Sequence, residues 1–219
     1  MPRLARIVVP GLPHHVIQRG NRQQALFASD QDRRLYLRYL TESCQAHGVA
    51  CLAWCLMDNH IHLILTPPAV DALRAAIART HTKFAQWINR SQGVSGHLFQ
   101  GRFLSYPMDD AHLIAAVRYV ENNPVKAGMV RVAEDWQWSS ARAHVVDFDD
   151  GLTDRSALAR WLPNWRAYLA EGAEAAEKDD AIEHSLRSGA PLGDSPSLAA
   201  LARPQRARGR PRKIGTVPD

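Results

Sequence analysis

Two histidines stand one residue apart in the run Met57-Asp-Asn-His-Ile-His-Leu-Ile-Leu65, where every residue after Asn59 except those histidines is Ile or Leu. Val49 to Leu56, upstream, is also mostly apolar, and Asp58-Asn59 between the two runs is a turn-forming pair. The stretch is therefore expected to be a β-hairpin whose second strand begins at His60. Strand side chains alternate faces, which sends His60, His62 and Ile64 one way and Ile61, Leu63 and Leu65 the other. Two imidazoles leaving one face at adjacent positions suit a shared metal ion. An arbitrary His-x-His is more often a hydrogen-bonded surface pair. The apolar setting favours a site here, because desolvating two imidazoles has a cost that a solvated loop avoids.

Tyr119 and Asn123 supply the other chemistry. They lie four residues apart, on one face of an expected helix. If that face packs near His60 and His62, the site holds two imidazoles, an amide oxygen and a phenol. Such a set suits Mg²⁺ or Mn²⁺, with waters or a phosphate oxygen completing the shell. Tyr119 then becomes an oxygen nucleophile beside a polarised phosphate. Each residue alone also has an ordinary role: a tyrosine between Arg118 and Val120 packs, and Asn122-Asn123-Pro124 ends a helix. A zinc site competes, since Cys51, Cys55, His60 and His62 nominally share one face of the hairpin. Cys51, however, lies roughly 13 Å along the strand from the level of His62, and further still from that of His60, too far for one tetrahedral ion.

The elements that must position these residues follow in order. His14 to Arg19 is a first strand, closed by the turn-like Gly20-Asn21-Arg22. Ser29 with Asp32 opens a helix as a capping box, and Gly48 stops it. After the hairpin, Asp71 begins a second helix that runs to Gly93. Leu98 to Met108 is expected to be a fourth strand, and Asp109-Asp110 starts a third helix that Pro124 ends near Asn122. Strand, helix, strand, strand, helix, strand is the order of an α+β, ferredoxin-like split βαβ sandwich, with helices on one face of an antiparallel sheet and the other face open to a ligand. Leu152 to Leu169 and Glu171 to Leu186 are candidate helices, and Gly189 to Ser197 has linker composition.

Leu56-Met-Asp-Asn-His-Ile-His-Leu63 together with Tyr119-Val-Glu-Asn-Asn-Pro-Val-Lys-Ala-Gly128 resembles the single-tyrosine transposases of the HUH superfamily, and within them the REP-associated tyrosine transposases. His15-Val16, Arg19-Gly20-Asn21 and Gly101-Arg102-Phe103 extend the resemblance over roughly residues 3–145. The resemblance implies a DNA endonuclease and strand transferase of transposition and recombination, acting on single-stranded DNA at hairpin-forming repeats. His60 and His62 match the metal ligands, Asn123 the residue completing the site, and Tyr119 the nucleophile that becomes joined to a 5′ phosphate. Asp58 stands where many relatives carry proline, which should loosen the turn. A DNA-binding protein that keeps the fold without the reaction is the alternative; an intact Tyr119 beside two ligand histidines argues against it.

Charge and length set the frame. The chain has 219 residues, 46% hydrophobic, enough for one substantial domain and an appendage. Residues 1–145, the expected nuclease domain, carry 16 Lys/Arg against 10 Asp/Glu; residues 146–202, an acidic and partly helical extension, carry 5 against 11; residues 203–219 carry 6 against 1. That basic tail is expected to be disordered when free. The partition points to a polyanionic partner with an internal competitor for it. Arg19, Arg22, Arg102 and Lys126 are the candidate DNA contacts of the body, and Arg208, Arg210 and Arg212 those of the tail. Gly209-Arg-Pro-Arg212 resembles an AT-hook core. No membrane-length apolar run and no disulfide framework are present, so a cytoplasmic monomer or homodimer is expected.

Overall fold

The computed structural model of the chain describes residues 7–159, 164–171, 179–185 and 191–193. Its elements are β1 (His14–Arg19), α1 (Asp30–His47), β2 (Ala50–Leu56), β3 (His60–Thr66), α2 (Ala72–Gln92), β4 (Leu104–Pro107), α3 (Asp110–Lys126), α4 (Ala141–Val146), α5 (Ser156–Ala159) and α6 (Trp165–Leu169). The strands form one antiparallel sheet in the order β2-β3-β1-β4. This is the expected α+β, ferredoxin-like arrangement. Local chemistry starts and stops α1 as expected. Ser29 accepts from the Asp32 N–H while the Asp32 carboxylate accepts from Ser29, and Gly48 ends the helix at a φ of 63°.

α1 and α2 share one face of the sheet. Tyr36 and Phe84 meet edge to face at 5.2 Å between ring centroids, over a core that includes Val16, Ile61, Leu63 and Leu65. The opposite face, expected to be open, is crossed by α3. Ala116, Val117 and Val120 pack there with Ala53, Cys55 and Ile64. Every residue from Ala115 to Glu121 is buried, because Trp165 and Leu169 of α6 cover the outer side of the helix. A helix apolar on most sides needs neighbours on most sides.

Several boundaries differ from expectation. β4 spans only Leu104–Pro107. Before it, Gly101 takes a φ of 63° and breaks the extended run, while Leu98, Phe99 and Phe103 turn into the α1/α2 core. α3 continues through Pro124 to Lys126. Proline in the last turn costs one backbone bond, and the Asn123 side chain donates to the Tyr119 carbonyl at 2.7 Å one turn earlier. The Asp58-Asn59 turn is tied rather than loose: Arg33 Nη2 donates to Asp58 Oδ1 at 2.6 Å, and the Asp58 carbonyl accepts from Leu26 N at 2.7 Å.

Residues 136–140 close the exposed edge of β2. Leu56 N donates to the Trp138 carbonyl at 2.8 Å and Ser140 N to the Trp54 carbonyl at 2.9 Å, so both tryptophans dock on the body. Leu152 to Arg155 is not helical, because Asp150 caps a turn there through the N–H groups of Leu152 and Thr153. Leu158, Trp165, Leu169, Ile182 and Leu192, all from the acidic extension, belong to the α3 core. Leu192, in the run with linker composition, also pairs with Met108 beside β4. The tail from Arg203, with Arg208, Arg210 and Arg212, lies outside the described residues.

Candidate active site

Register decides which side chains meet. β1 and β3 pair His15 with Ile64, Ile17 with His62 and Arg19 with His60. Directly opposed residues share a face, so His15 and Arg19 join His60 and His62 on the face that α3 crosses. The same logic removes Cys51. A bulge between Cys51 and Ala53 sets Cys51 opposite Leu65 and Ala53 opposite Ile64, which turns Cys51 into the α1/α2 core beside Cys44. Cys55 does oppose His62, but burial pushes its thiol well up, and its Sγ points at Met57 Sδ at 3.7 Å. The cysteines are core thiols, and no zinc set forms among them.

α3 brings Tyr119 to the histidines. The Tyr119 ring lies 5.9 Å from the His15 ring and 6.0 Å from the His62 ring, both edge-on. His60 and His62 are 4.9 Å apart between centroids. Burial holds the His62 imidazole well below its ordinary pKa, and pushes His60 down to about 4 and His15 to about 3. All three rings are therefore neutral at pH 7, as ligand imidazoles must be. The Asn59 Oδ1 accepts from His60 Nδ1 at 2.7 Å, leaving Nε2 as the lone pair. His62 Nδ1 faces His15 Nε2 at 2.9 Å. Asn123 donates its side-chain N–H to the Tyr119 carbonyl at 2.7 Å.

Among the described residues, no group of three His, Cys, Asp or Glu side chains is placed to hold a metal ion. What the structure does bring together is the imidazoles of His60 and His62, on one face of β3. Two imidazoles, with waters or a substrate oxygen completing the shell, would suit Mg²⁺ or Mn²⁺ better than a fully caged ion.

A family model described as "Transposase IS200 like" matches residues 8–123. The chain belongs to the IS200-like transposase family. It is 31% identical over 112 residues to a protein described as a REP-associated tyrosine transposase from Haemophilus influenzae, an alignment covering 45% of this chain and 62% of that relative. The chain thus spans less than two thirds of that relative's length. Its fold matches a REP-associated tyrosine transposase solved bound to a REP hairpin, with a TM-score of 0.56, 22% identity, and coverage of 72% of this chain and 96% of that one.

Two of the candidate body cations border these residues: Arg19 opposes His60 across the β1–β3 pairing, and Lys126 lies against Tyr119. Gly20 N donates to the Asn59 carbonyl and Gln100 N to the Arg19 carbonyl, both at 2.8 Å. Arg19, Arg22 and Arg102 are all exposed, and Arg19 stands at the end of β1 next to the Asp58-Asn59 turn. Lys126 sits over the Tyr119 ring, its Nζ 4.6 Å from the centroid, and pairs with Asp179. Asp179 also binds Arg118 at 2.9 Å. His15 is the participant that residue spacing missed. The period of β1 alone put it on one face or the other, and only pairing with β3 said which.

Proposed function

We propose that the chain is a single-stranded DNA endonuclease and strand transferase of the transposase type, with Tyr119 as nucleophile and hairpin-forming repeats as targets. The packing of the Tyr119 ring edge-on against His15 and His62 carries this reading, since a phenol serving only the core has no need of ligand-ready imidazoles. The relative solved with a REP hairpin supports the choice of target. His60 Nε2, His62 Nε2 and the Asn123 amide oxygen would hold Mg²⁺ or Mn²⁺. When bound, such an ion neutralises charge developing on the attacked phosphate.

Tyr119 Oη gives its proton up to solvent as it attacks the phosphorus, and the new O–P bond forms as the bond to the 3′ oxygen breaks. The leaving oxygen takes a proton and becomes a 3′-OH, while the 5′ phosphate stays on Tyr119. A second 3′-OH can displace the tyrosine by the reverse step, because the phosphotyrosine conserves the energy of the broken bond. That favours strand transfer over hydrolysis. Arg19, Arg22 and Arg102 would line the phosphates of the incoming strand. The test is a denaturing gel of labelled hairpin DNA with full-length protein, run with Mn²⁺, with Mg²⁺ and with a chelator. A metal-dependent adduct stable to boiling in detergent is the expected result. Binding without cleavage would leave a non-catalytic DNA-binding protein, and cleavage without adduct a hydrolase in which Tyr119 only packs.

A further inference from the structure

An imidazole that serves a cation through one nitrogen must carry its proton on the other, and its ring must not flip. His60 meets both conditions locally. The Asn59 amide nitrogen is directed to the Gln23 carbonyl, so its oxygen is the atom at His60 Nδ1, 2.7 Å away. An amide oxygen only accepts, which fixes the His60 proton on Nδ1. No such neighbour in the sequence serves His62. Its Nδ1 instead meets His15 Nε2 at 2.9 Å across the β1–β3 pairing.

We propose that His15 is a positioning residue for His62: it accepts the His62 Nδ1 proton at its own Nε2 and so presents His62 Nε2 to a divalent cation. This rests on the reading of His60 and His62 as cation ligands. His15 is 0% and His62 2% exposed, and the two rings lie 5.1 Å apart with 35° between their planes. The second nitrogen of His15, Nδ1, is buried with no hydrogen-bond partner. A residue serving only the core would avoid that orphaned atom, since Leu or Phe would fill the space without it. The orphan is explained if the other nitrogen is needed. His15 also touches the Tyr119 ring at 5.9 Å, so the same imidazole aligns the ligand and borders the nucleophile. Partners of this kind, at the far nitrogen of a ligand histidine, set its tautomer and its basicity.

The experiment is a Mn²⁺ titration of full-length protein without DNA, read by the electron paramagnetic resonance signal of the free ion. Wild type, His15→Phe, His15→Gln, His15→Asn and His60→Ala are compared. His15→Phe is expected to weaken Mn²⁺ by roughly 10- to 100-fold. His15→Gln should recover most of the affinity, because its amide oxygen reaches where Nε2 stood, and His15→Asn, one bond shorter, should not. Nitrogen-15 spectra with Mg²⁺ should show His62 protonated at Nδ1 in wild type and His15→Gln only. Should His15→Phe fail to fold, the contrast between Gln and Asn decides. Full affinity in His15→Phe, or equal affinity in Gln and Asn, with loss in His60→Ala, overturns the proposal and leaves the cation site standing. Unchanged affinity in His60→Ala, or no uptake by wild type, removes the cation reading and this proposal with it.

Discussion

Tyr119 is 7% exposed and Lys126 lies over its ring, so its packing and its hydroxyl can be separated by mutation. Tyr119→Phe removes one oxygen and should keep hairpin affinity within about twofold while abolishing the covalent adduct. A detergent-stable adduct from the Phe variant would take the nucleophile away from Tyr119. A second prediction concerns acid. His14 is fully buried, with Nδ1 donating to the Leu12 carbonyl at 2.8 Å and Nε2 accepting from Val9 N at 3.1 Å. Burial pushes its pKa from 6.5 down to about 4, against the pull of the Leu12 bond. As pH falls through 6.5 the unfolded chain takes the proton first, so stability present above that point is lost down to about 4. For His14 the loss is about 3 kcal/mol at most. Metal-free protein should therefore melt at steadily lower temperature from pH 7 to pH 4.5, with His15, His60 and His62, which burial also pushes down, adding to the loss. A flat melting temperature over that range would mean that His14 is solvated.

At the scale of elements, the hairpin that carries His60 and His62 is held from outside itself. The Arg33 side chain, 11% exposed, reaches from α1 to Asp58 in the turn. Its guanidinium also lies 5.5 to 5.8 Å from the centres of Phe27, Trp136 and Trp138. Asp58, at 61% exposure, contributes a screened charge worth less than about 1 kcal/mol. The arginine adds cation–π contacts and packing. Arg33→Ala should cost roughly 2 kcal/mol or more, and Asp58→Asn less than half of that, by urea denaturation. Equal costs would reduce the role of Arg33 to the ion pair. Without the bulge in β2, Cys51 would share the sheet face of His60 and His62.

Across the whole molecule, the acidic extension is built into the fold against α3, beside Tyr119. Glu121 on α3, 0% exposed, accepts from Ser140 at 2.5 Å, from His144 at 2.7 Å and from Trp165 at 2.7 Å. One carboxylate thus ties α3 to α4 and to the extension. Asp179 pairs with Arg118 and Lys126, so it neutralises cations next to Tyr119. Asp179→Asn should tighten hairpin DNA binding a few-fold at low salt, read by fluorescence anisotropy; unchanged affinity would mean that DNA does not reach these cations. The tail beyond Ala202 holds six Lys/Arg and one Asp. Each phosphate it neutralises adds roughly −0.7 to −0.9 to the slope of log affinity against log salt. Cutting after Ala202 should weaken binding at low salt and flatten that slope, with cleavage at saturating DNA kept. Equal slopes would show that the tail does not touch DNA.

What could be read from the chain alone is whatever short-range physics controls. The Ser29/Asp32 capping box, the stop at Gly48, the hairpin at Asp58-Asn59 and the shared face of His60 and His62 each depend on residues within a few positions of one another. So does the Tyr119/Asn123 face. The family resemblance was legible for the same reason, since its motifs are short and stand on single elements. Tertiary structure decided the rest. α3 crosses the sheet face that a sandwich reading left open, because Ala115 to Glu121 are buried by the sheet on one side and by α6 on the other. The bulge before Ala53 moved Cys51 to the far face, an outcome set by pairing with β3 and not by the alternation of β2. His15 joined the site through a partner 47 residues away. A strand's own period says only that side chains alternate; which face is which, and what covers it, is fixed by the strands and helices that pair with it.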